Sequence, residues 1–514
     1  MTENAIQHVP VVIVGAGPTG ITAATLLAQY GLDCLVLERW PGVYAQPRAV
    51  HLDDEIYRVI ARLGIADEFA AISRPTLGLR LLHNRSGRFG VLAEFNRDPS
   101  RSPHGFPQAN MFDQPELEAL LRTNLKRYPN ARVRGDAEVT GLTDGGECIR
   151  VTFTDRSDGR VHQIDASYVL GCDGANSNVR AQIGSAMRDL NFQQRWLVVD
   201  VASTADLHQW DGVHQVCDPV RAATYMRIGP ARYRWEFQLL AGETADDFGT
   251  LDALRPLIAP WTDHVPNTEL TLLRVTEYTF RAQIADRWRR GNIFLLGDAA
   301  HLTPPFIGQG MGAGVRDAAN LAWKIAGVHD GTLAAHVLDT YERERKPHTR
   351  HMIRLALGVG WAMTGGGRVG NLARRAVLPR LRLIPGLRDK VVDSTTPALH
   401  ASALVRKSRR PRQLAGTLCP NPLLPNGQRL DDVVGTGFAL ITTNHPDAAD
   451  EASMRHRGVV VLDAQPGSVL QTWLHRGGAE AALVRPDRTV MHAGRDVAAL
   501  CAWTVAQLNS PCPM

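Results

Sequence analysis

An α/β architecture in three parts follows from the sequence: a nucleotide-binding unit first, a sheet-rich insertion next, and a separate α/β unit last. Three observations predict it. The apolar run Val11-Val12-Ile13-Val14 feeds Gly15-Ala16-Gly17-Pro18-Thr19-Gly20, and a second apolar run, Cys34-Leu35-Val36-Leu37, ends at Glu38. Residues 190–280 alternate apolar and polar, the period of a sheet with one covered face. Residues 415–514 return to short apolar strands at 438–442, 459–462 and 482–485.

In the opening unit the glycines permit a tight turn, close approach of backbone to a pyrophosphate, and tight helix–strand packing. The helix that begins at Pro18-Thr19 offers unpaired N–H groups and a positive dipole end to phosphate. Glu38 can take ribose hydroxyls, and its charge repels a 2′-phosphate. A dinucleotide site is expected here; a glycine-rich βα turn is the plainer alternative.

Further along, Arg48-Ala49-Val50-His51-Leu52-Asp53-Asp54-Glu55 leads into a helix over 56–63. Residues 77–96 read as strands with a turn at 84–87, and Gln114-Pro115-Glu116 opens a helix with an early proline. A short strand pair spans 131–154 around Gly145-Gly146, and a strand over 165–171 ends in Cys172-Asp173-Gly174. Within the alternating stretch the strands fall at 196–201, 223–227 and 234–239. Asn292-Ile293-Phe294-Leu295-Leu296-Gly297-Asp298 returns to the buried-strand style. Helices follow over 312–328 and 338–357, and glycine and arginine interrupt the pattern at 365–375. The first fold is thus split by an insertion, which allows a site between the two.

The totals exclude several classes. A chain of 514 residues suggests about two to four domains, and 44% hydrophobic with 21% charged residues is ordinary for a globular protein. The formal net charge is +5, with one basic cluster at 406–412 that reads as a solvated linker; no aromatics interleave with it, so no nucleic-acid partner is expected. No apolar run of about 18 residues predicts a membrane span. Met1-Thr2-Glu3-Asn4-Ala5 lacks the basic start of a signal peptide. The seven cysteines are dispersed without a Cys-x-x-Cys pair, which suggests neither a disulfide framework nor a metal site and fits a reducing cytoplasm.

Three separated segments carry a resemblance: Gly15–Gly20 with Glu38, Gly171-Cys172-Asp173-Gly174 through Ser177 and Arg180, and Gly297-Asp298-Ala299-Ala300-His301 through Pro304. Together they resemble the single-component flavoprotein aromatic hydroxylases of the para-hydroxybenzoate hydroxylase fold. Cys217-Asp218-Pro219-Val220-Arg221, Arg234-Trp235-Glu236-Phe237 and Gly308-Gln309-Gly310-Met311 look most like the 3-(3-hydroxyphenyl)propionate hydroxylase branch. The resemblance implies a Rossmann-like FAD-binding domain with an inserted β-sheet substrate domain and a C-terminal thioredoxin-like α/β domain. In these terms 1–76, 113–188 and 281–400 build the FAD-binding domain and its helices. Residues 77–112 and 189–280 supply the substrate domain, and 401–514 the thioredoxin-like one. Lacking Cys-x-x-Cys, that last domain is expected to serve packing or homodimer contacts rather than redox chemistry.

The resemblance also assigns residues. Gly15, Gly17, Pro18, Thr19, Gly20, Glu38 and Arg39 would hold the ADP half of FAD. Arg48 and Gln114 match FAD contacts, Asp173 serves FAD and the nicotinamide nucleotide, and Asp298 takes the ribityl chain; a helix N-cap is the plainer alternative for Asp298. Pro305, Gly308, Gly310 and Met311 lie in a loop whose N–H groups can approach the N1–C2=O edge of a reduced flavin. The implied reaction uses NADH or NADPH, O2 and a C4a-hydroperoxyflavin to hydroxylate a phenol. The expected product is the ortho-hydroxylated 3-(3-hydroxyphenyl)propionate or a similar phenylpropanoid acid; a polycyclic aromatic polyketide is the alternative substrate. Pro305-Phe306 and His51 depart from the branch pattern and bear on which phenol binds.

For the substrate side, His51 is a candidate base for the phenol, or only a packing residue beside the flavin. Arg221 or Tyr225 could meet a propionate carboxylate or a phenol group, or serve the structure alone. Trp196, Trp235 and Phe237 could wall the pocket, with core packing expected for at least two of them.

Overall fold

The computed structural model describes residues 7–43, 48–85, 88–98, 100, 102–218, 220–365, 396–407 and 413–508. Among them the strands form four sheets. The first is built on His8–Val14, which pairs in parallel with Cys34–Leu37 on one side and Val161–Gly171 on the other. Ala131–Arg134 extends it beyond Cys34–Leu37, Ile293–Leu295 beyond Val161–Gly171. Both faces of this sheet must be covered, which is why its strands are continuous apolar runs rather than alternating ones. Helices Pro18–Gln29 and Gly310–His329 are buried along most of their length in the same core.

The second sheet takes Gly78–Arg85 and Arg88–Asn96 together with the alternating stretch. Its order runs His301–Leu302, Thr271–Ala285, Met187–Ala202, Arg232–Gln238, Ala223–Arg227, Val213–Val216, Gly78–Arg85, Arg88–Asn96. One face is closed by helix Leu251–Thr262, whose Leu254, Ile258 and Trp261 pack on Leu197, Val199, Val201, Tyr233, Trp235 and Phe237. The sequence reading passes over this helix because Pro256 and Pro260 interrupt its pattern. A small sheet of His51–Asp53, Ala109–Phe112 and Ser73–Pro75 lies in the stretch between the first two.

The fourth sheet, Val459–Asp463, Phe438–Thr442, Ala481–Val484 and Val490–Gly494 in that order, has its first two strands parallel and the others antiparallel. It meets the first region along a seam of buried charge. Arg58 forks onto Asp431 at 2.6 and 2.7 Å and donates to the Cys419 carbonyl at 2.6 Å, while Arg488 reaches Asp431 at 2.7 Å. Arg485 donates to both oxygens of Glu344 at 2.9 and 3.0 Å, and Lys324 to Glu344 at 2.9 Å.

Local boundaries shift where caps act. The helix expected from 56 is Asp54–Arg62, because the Asp53 carboxylate accepts from the Ile56 N–H at 2.9 Å and sets its start. The expected strand pair at 131–154 is three strands, Ala131–Arg134, Ala137–Asp144 and Ile149–Asp155. The two long helices are Gly310–His329 and Thr340–Thr364, the latter passing through Pro347. The turn at 84–87, the interruption at 365–375 and the basic cluster at 406–412 lie wholly or partly outside the described residues. No helix among the described residues is long and apolar enough to cross a membrane.

Candidate active site

Three loops meet at the strand ends of the first sheet, and glycine is what lets them meet. Gly15 has φ +103°, and a Cβ there would stand 2.4 Å from the Cys172 carbonyl oxygen, so the first loop lies directly on the Asp173 loop. A Cβ on Gly20 would stand 2.0 Å from the Gly15 carbonyl oxygen. Gly297, at φ +59°, and Gly314 would each strike the Thr19 hydroxyl, at 2.9 and 2.2 Å. Thr19 is thus a packing hub between the first loop, the Gly297-Asp298 loop and helix Gly310–His329. Gly17, by contrast, has nothing within 4 Å of its would-be Cβ, and Pro18 follows as the first helical residue. Its open side lies at the helix start, where a pyrophosphate would approach.

Polar groups tie the loops together. The buried Glu38 accepts from the Ala16 N–H at 2.6 Å and the Trp40 N–H at 3.1 Å. Asp173 accepts from the Ser177 hydroxyl at 2.5 Å and the Val179 N–H at 3.0 Å, and burial pushes its carboxyl upward. Arg180 bridges two loops by donating to the carbonyls of Ala299 at 3.0 Å and Ala175 at 2.8 Å. Gln114 accepts from the N–H groups of Arg48 and Ala49 at 2.9 and 2.6 Å, which fixes the backbone of that segment. Arg39 is exposed beside Trp40.

Asp298 differs from these carboxylates. It accepts no hydrogen bond from any described residue, and burial pushes its carboxyl upward against the pull of His301 and Arg48. A carboxylate desolvated without a donor is costly, and hydroxyl donors of a ligand relieve that cost. An FAD ribityl chain supplies such donors, so Asp298, the open Gly17 and Glu38 fit this cofactor.

The second half of the site is the loop before helix Gly310–His329. Pro305–Ile307 makes one 3-10 turn, and Gly308 follows in the left-handed region at φ +63°. A Cβ on Gly308 would stand 2.8 Å from His51 Nδ1, which puts His51 against this loop. Burial, then Arg97, lowers His51 to about 4, so it is a neutral imidazole at neutral pH and a weak base. Met311 packs on the main core. Gly310 begins the helix.

Several anchors of this loop escape a sequence reading. Asp53 accepts from Gln309 at 2.9 Å and Arg316 at 2.5 Å, and Arg316 also reaches Glu55 at 2.8 Å. Asp317 accepts from the Gly297 N–H at 3.0 Å, meets His301 at 2.8 Å and accepts from Arg345 at 2.8 Å. These contacts hold the Gly297-Asp298 loop from behind. Only their helical or loop setting is local, and nothing in the spacing of the acids and arginines marks their partners.

Across from the loop stands the open face of the second sheet. Phe306 meets Phe192 at 5.6 Å and Trp196 at 6.1 Å, ring centre to ring centre. Trp235 and Phe237 point the other way, into the core under helix Leu251–Thr262. Tyr225 joins them there, packed on Trp235 and Trp261, and burial pushes its hydroxyl far up. Arg221 is forked onto Glu243, at 2.8 Å for one arm, and donates to the Gln238 carbonyl at 3.2 Å. The structure therefore brings His51 to the flavin-loop side but leaves Tyr225 in the core and Arg221 in an ion pair. Tyr225 is turned inward by the register of strand Ala223–Arg227, which spacing alone does not reveal, whereas Arg221 lies before that strand and is held by Glu243.

Comparison with known proteins agrees with this geometry. A family model described as the FAD binding domain matches residues 8–356. A 3-(3-hydroxy-phenyl)propionate/3-hydroxycinnamic acid hydroxylase of Burkholderia cenocepacia is 32% identical over 98% of this chain and 97% of its own. A probable NADH-specific resorcinol 4-hydroxylase of Rhodococcus jostii is 33% identical over 96% of this chain and 93% of its own. Among solved structures, aklavinone-11 hydroxylase with FAD and aklavinone superposes with a TM-score of 0.78 at 24% identity, covering 99% of both chains.

Proposed function

We propose that this chain, which belongs to the FAD binding domain family and is an FAD-dependent aromatic monooxygenase, hydroxylates a single-ring phenol ortho to its hydroxyl, with 3-(3-hydroxyphenyl)propionate or a similar phenylpropanoid acid as substrate. The observation that carries the reading is the aromatic junction by which Phe306 of the glycine loop Pro305–Gly310 meets Phe192 and Trp196 of the second sheet. Similarity to relatives named for 3-hydroxyphenylpropionate along nearly the whole chain supports the choice of acid.

When bound, FAD supplies reduction by a nicotinamide nucleotide and activation of O2. The rest falls to the chain. Asp298 and Glu38 accept hydroxyls of the cofactor, and Gly17 and the Pro18 helix start receive its phosphates. Helix Gly310–His329 would offer its N-terminal N–H groups to the negative charge of a reduced flavin held by this loop. Phe306, Phe192, Trp196 and Phe280 keep water from the reacting atoms. We read the C-terminal unit, built on the fourth sheet, as a thioredoxin-like domain serving packing.

A second reading, an uncharged phenol such as resorcinol, is favoured by the arginines of the second sheet: Arg221 and Arg234 are both already forked onto carboxylates. One experiment separates them. NADH and NADPH oxidation is followed in air with 3-(3-hydroxyphenyl)propionate, resorcinol and a tricyclic phenol, and products are weighed by mass spectrometry. Strong stimulation by the acid with gain of one oxygen is expected. Stimulation by resorcinol alone moves the substrate to uncharged phenols, and stimulation by the polycycle alone overturns the single-ring reading.

A further inference from the structure

One carboxylate on the open face of the second sheet belongs to no contact described so far. Glu236 lies in the middle of strand Arg232–Gln238, directly opposite Val198 on one neighbouring strand and Thr224 on the other. Its strand neighbours Trp235 and Phe237 are core residues, so alternation turns Glu236 to the face shared with Arg234 and Gln238. Two independent contacts identify what that face looks at. One residue pair along, Arg234 donates to the Arg48 carbonyl at 3.2 Å, and Met226, opposite Arg234, packs with Val50 and Met111. In the other direction Trp196, opposite Gln238, meets Phe306 of the glycine loop. Glu236 sits in the row between these two anchors. It therefore faces the space bounded by the Arg48–His51 segment and the Pro305–Gly308 loop.

Within that space Glu236 is only half-buried and accepts no hydrogen bond from any described residue. Its charged surroundings come from every element around it. Arg234 and Asp200 form a buried pair at 2.7 Å, Arg274 on strand Thr271–Ala285 stands 3.8 Å from Asp200, and Asp113 pairs with Arg232 beyond them. Burial pushes the Glu236 carboxyl upward, Arg234 offsets part of the rise, and Asp200 adds to it. The arginines are held by Asp200, which leaves Glu236 as an acceptor in search of a donor.

Resting on the phenol reading above, we propose that Glu236 is a catalytic residue: its carboxylate receives the hydrogen bond of the substrate's phenolic hydroxyl and takes that proton as the ring is attacked. In this proton transfer the phenolic O–H bond breaks, its electron pair stays on oxygen as the phenolate, and the proton ends on the carboxylate, which becomes the neutral acid; the oxygen atom and electrons for the ring come from the O2 and nicotinamide nucleotide of the established activity. Proton count and charge balance without any further reagent. Burial raises the Glu236 carboxyl and lowers the His51 imidazole, which makes Glu236 the better proton acceptor of the two.

The test uses the oxidised FAD-loaded protein with no reductant, so it reads binding rather than turnover. The probes are 3-(3-hydroxyphenyl)propionate, its O-methyl ether, and the 4-nitro derivative of the phenol, whose ionisation is visible. Wild type is expected to bind the phenol at least about 10-fold more tightly than the ether, because the ether leaves the carboxylate without its donor. Glu236→Leu, which removes the acceptor, should bring that ratio near unity while FAD content is retained. Bound to wild type, the nitrophenol should ionise about one pH unit higher than in water, held protonated by the neighbouring negative charge, and Glu236→Gln should remove the shift. Equal discrimination in both proteins, or an unshifted nitrophenol on wild type, overturns the assignment. The second measurement needs no variant and stands even if either variant fails to fold. Failure of every phenol to bind wild type would overturn the phenol reading, a result distinct from binding that ignores Glu236.

Discussion

Two regions of this molecule bury charge, and they do it in opposite ways. Along the seam with the C-terminal unit each buried ion described has its partner: Arg58 and Arg488 share Asp431, and Lys324 and Arg485 share Glu344. At the mouth of the FAD-binding strands Asp298 and Glu236 are half-buried and accept no hydrogen bond from any described residue. The difference separates fold from function. A buried carboxylate with all its donors present has already been satisfied by folding, whereas one without them is satisfied by what binds.

The comparison breaks most visibly at the seam. Glu344 is buried between Lys324 and Arg485, and these cations hold it at about 2 while burial alone would raise it. Glu344→Ala leaves the buried Lys324 without its ion-pair partner and Arg485 with Asp487 alone, and should cost about 3–5 kcal/mol in denaturant unfolding. The acid dependence follows from the same pair. The folded group is depressed relative to an unfolded glutamate near 4.5, so its stabilisation is complete above that value and is lost as pH falls toward about 2. Glu344→Gln should flatten that acid slope, read as the unfolding midpoint against pH.

On the other side of the comparison, Asp298→Ala should leave folding intact and weaken FAD binding by about 10- to 100-fold, the worth of a charge-assisted hydrogen bond or two. Titration of the apoprotein with FAD measures it. A variant that loses stability but keeps FAD affinity would make Asp298 a structural carboxylate of the seam's kind.

How much of this was legible in the sequence depends on the range of the contact. Gly15, Gly17, Gly20 and Glu38 announce themselves because a turn and a strand end are local, and Asp298 follows an apolar run in the same way. Asp53 with Arg316, Asp317 with Arg345, and Arg58 with Asp431 join residues far apart in the chain, and no spacing rule pairs them. Glu236 and Tyr225 show the intermediate case: alternation was visible, but which alternate set met the core was decided by helix Leu251–Thr262, itself masked by two prolines. Tyr225 accordingly packs in the core under that helix, while Arg221, which lies before the strand, is paired with Glu243.

His51 sharpens the comparison from within the site. Its imidazole is lowered to about 4 by burial and Arg97, so below the ordinary value near 6.5 the unfolded chain binds the extra proton. Stability should therefore fall as pH drops from about 6.5 to about 4, and His51→Asn should remove that part of the slope. At neutral pH the same variant should lower kcat/KM by less than about 10-fold, because a neutral His51 gives up no proton and takes one poorly.

The smallest effect should come from Arg221, the residue whose chemistry looked most suited to a carboxylate substrate. Its fork is filled by Glu243, whose carboxyl is lowered chiefly by that hydrogen bond, and the pair is partly exposed at 17% and 25%. Removing it should cost about 1 kcal/mol or less of stability. Arg221→Ala should change KM for 3-(3-hydroxyphenyl)propionate and for resorcinol by the same small factor, since the guanidinium meets neither. A rise in KM confined to the carboxylated phenol would mean that Glu243 releases Arg221 when substrate arrives. The paired arginine would then belong with the unsatisfied groups of the site rather than with the satisfied charges of the fold.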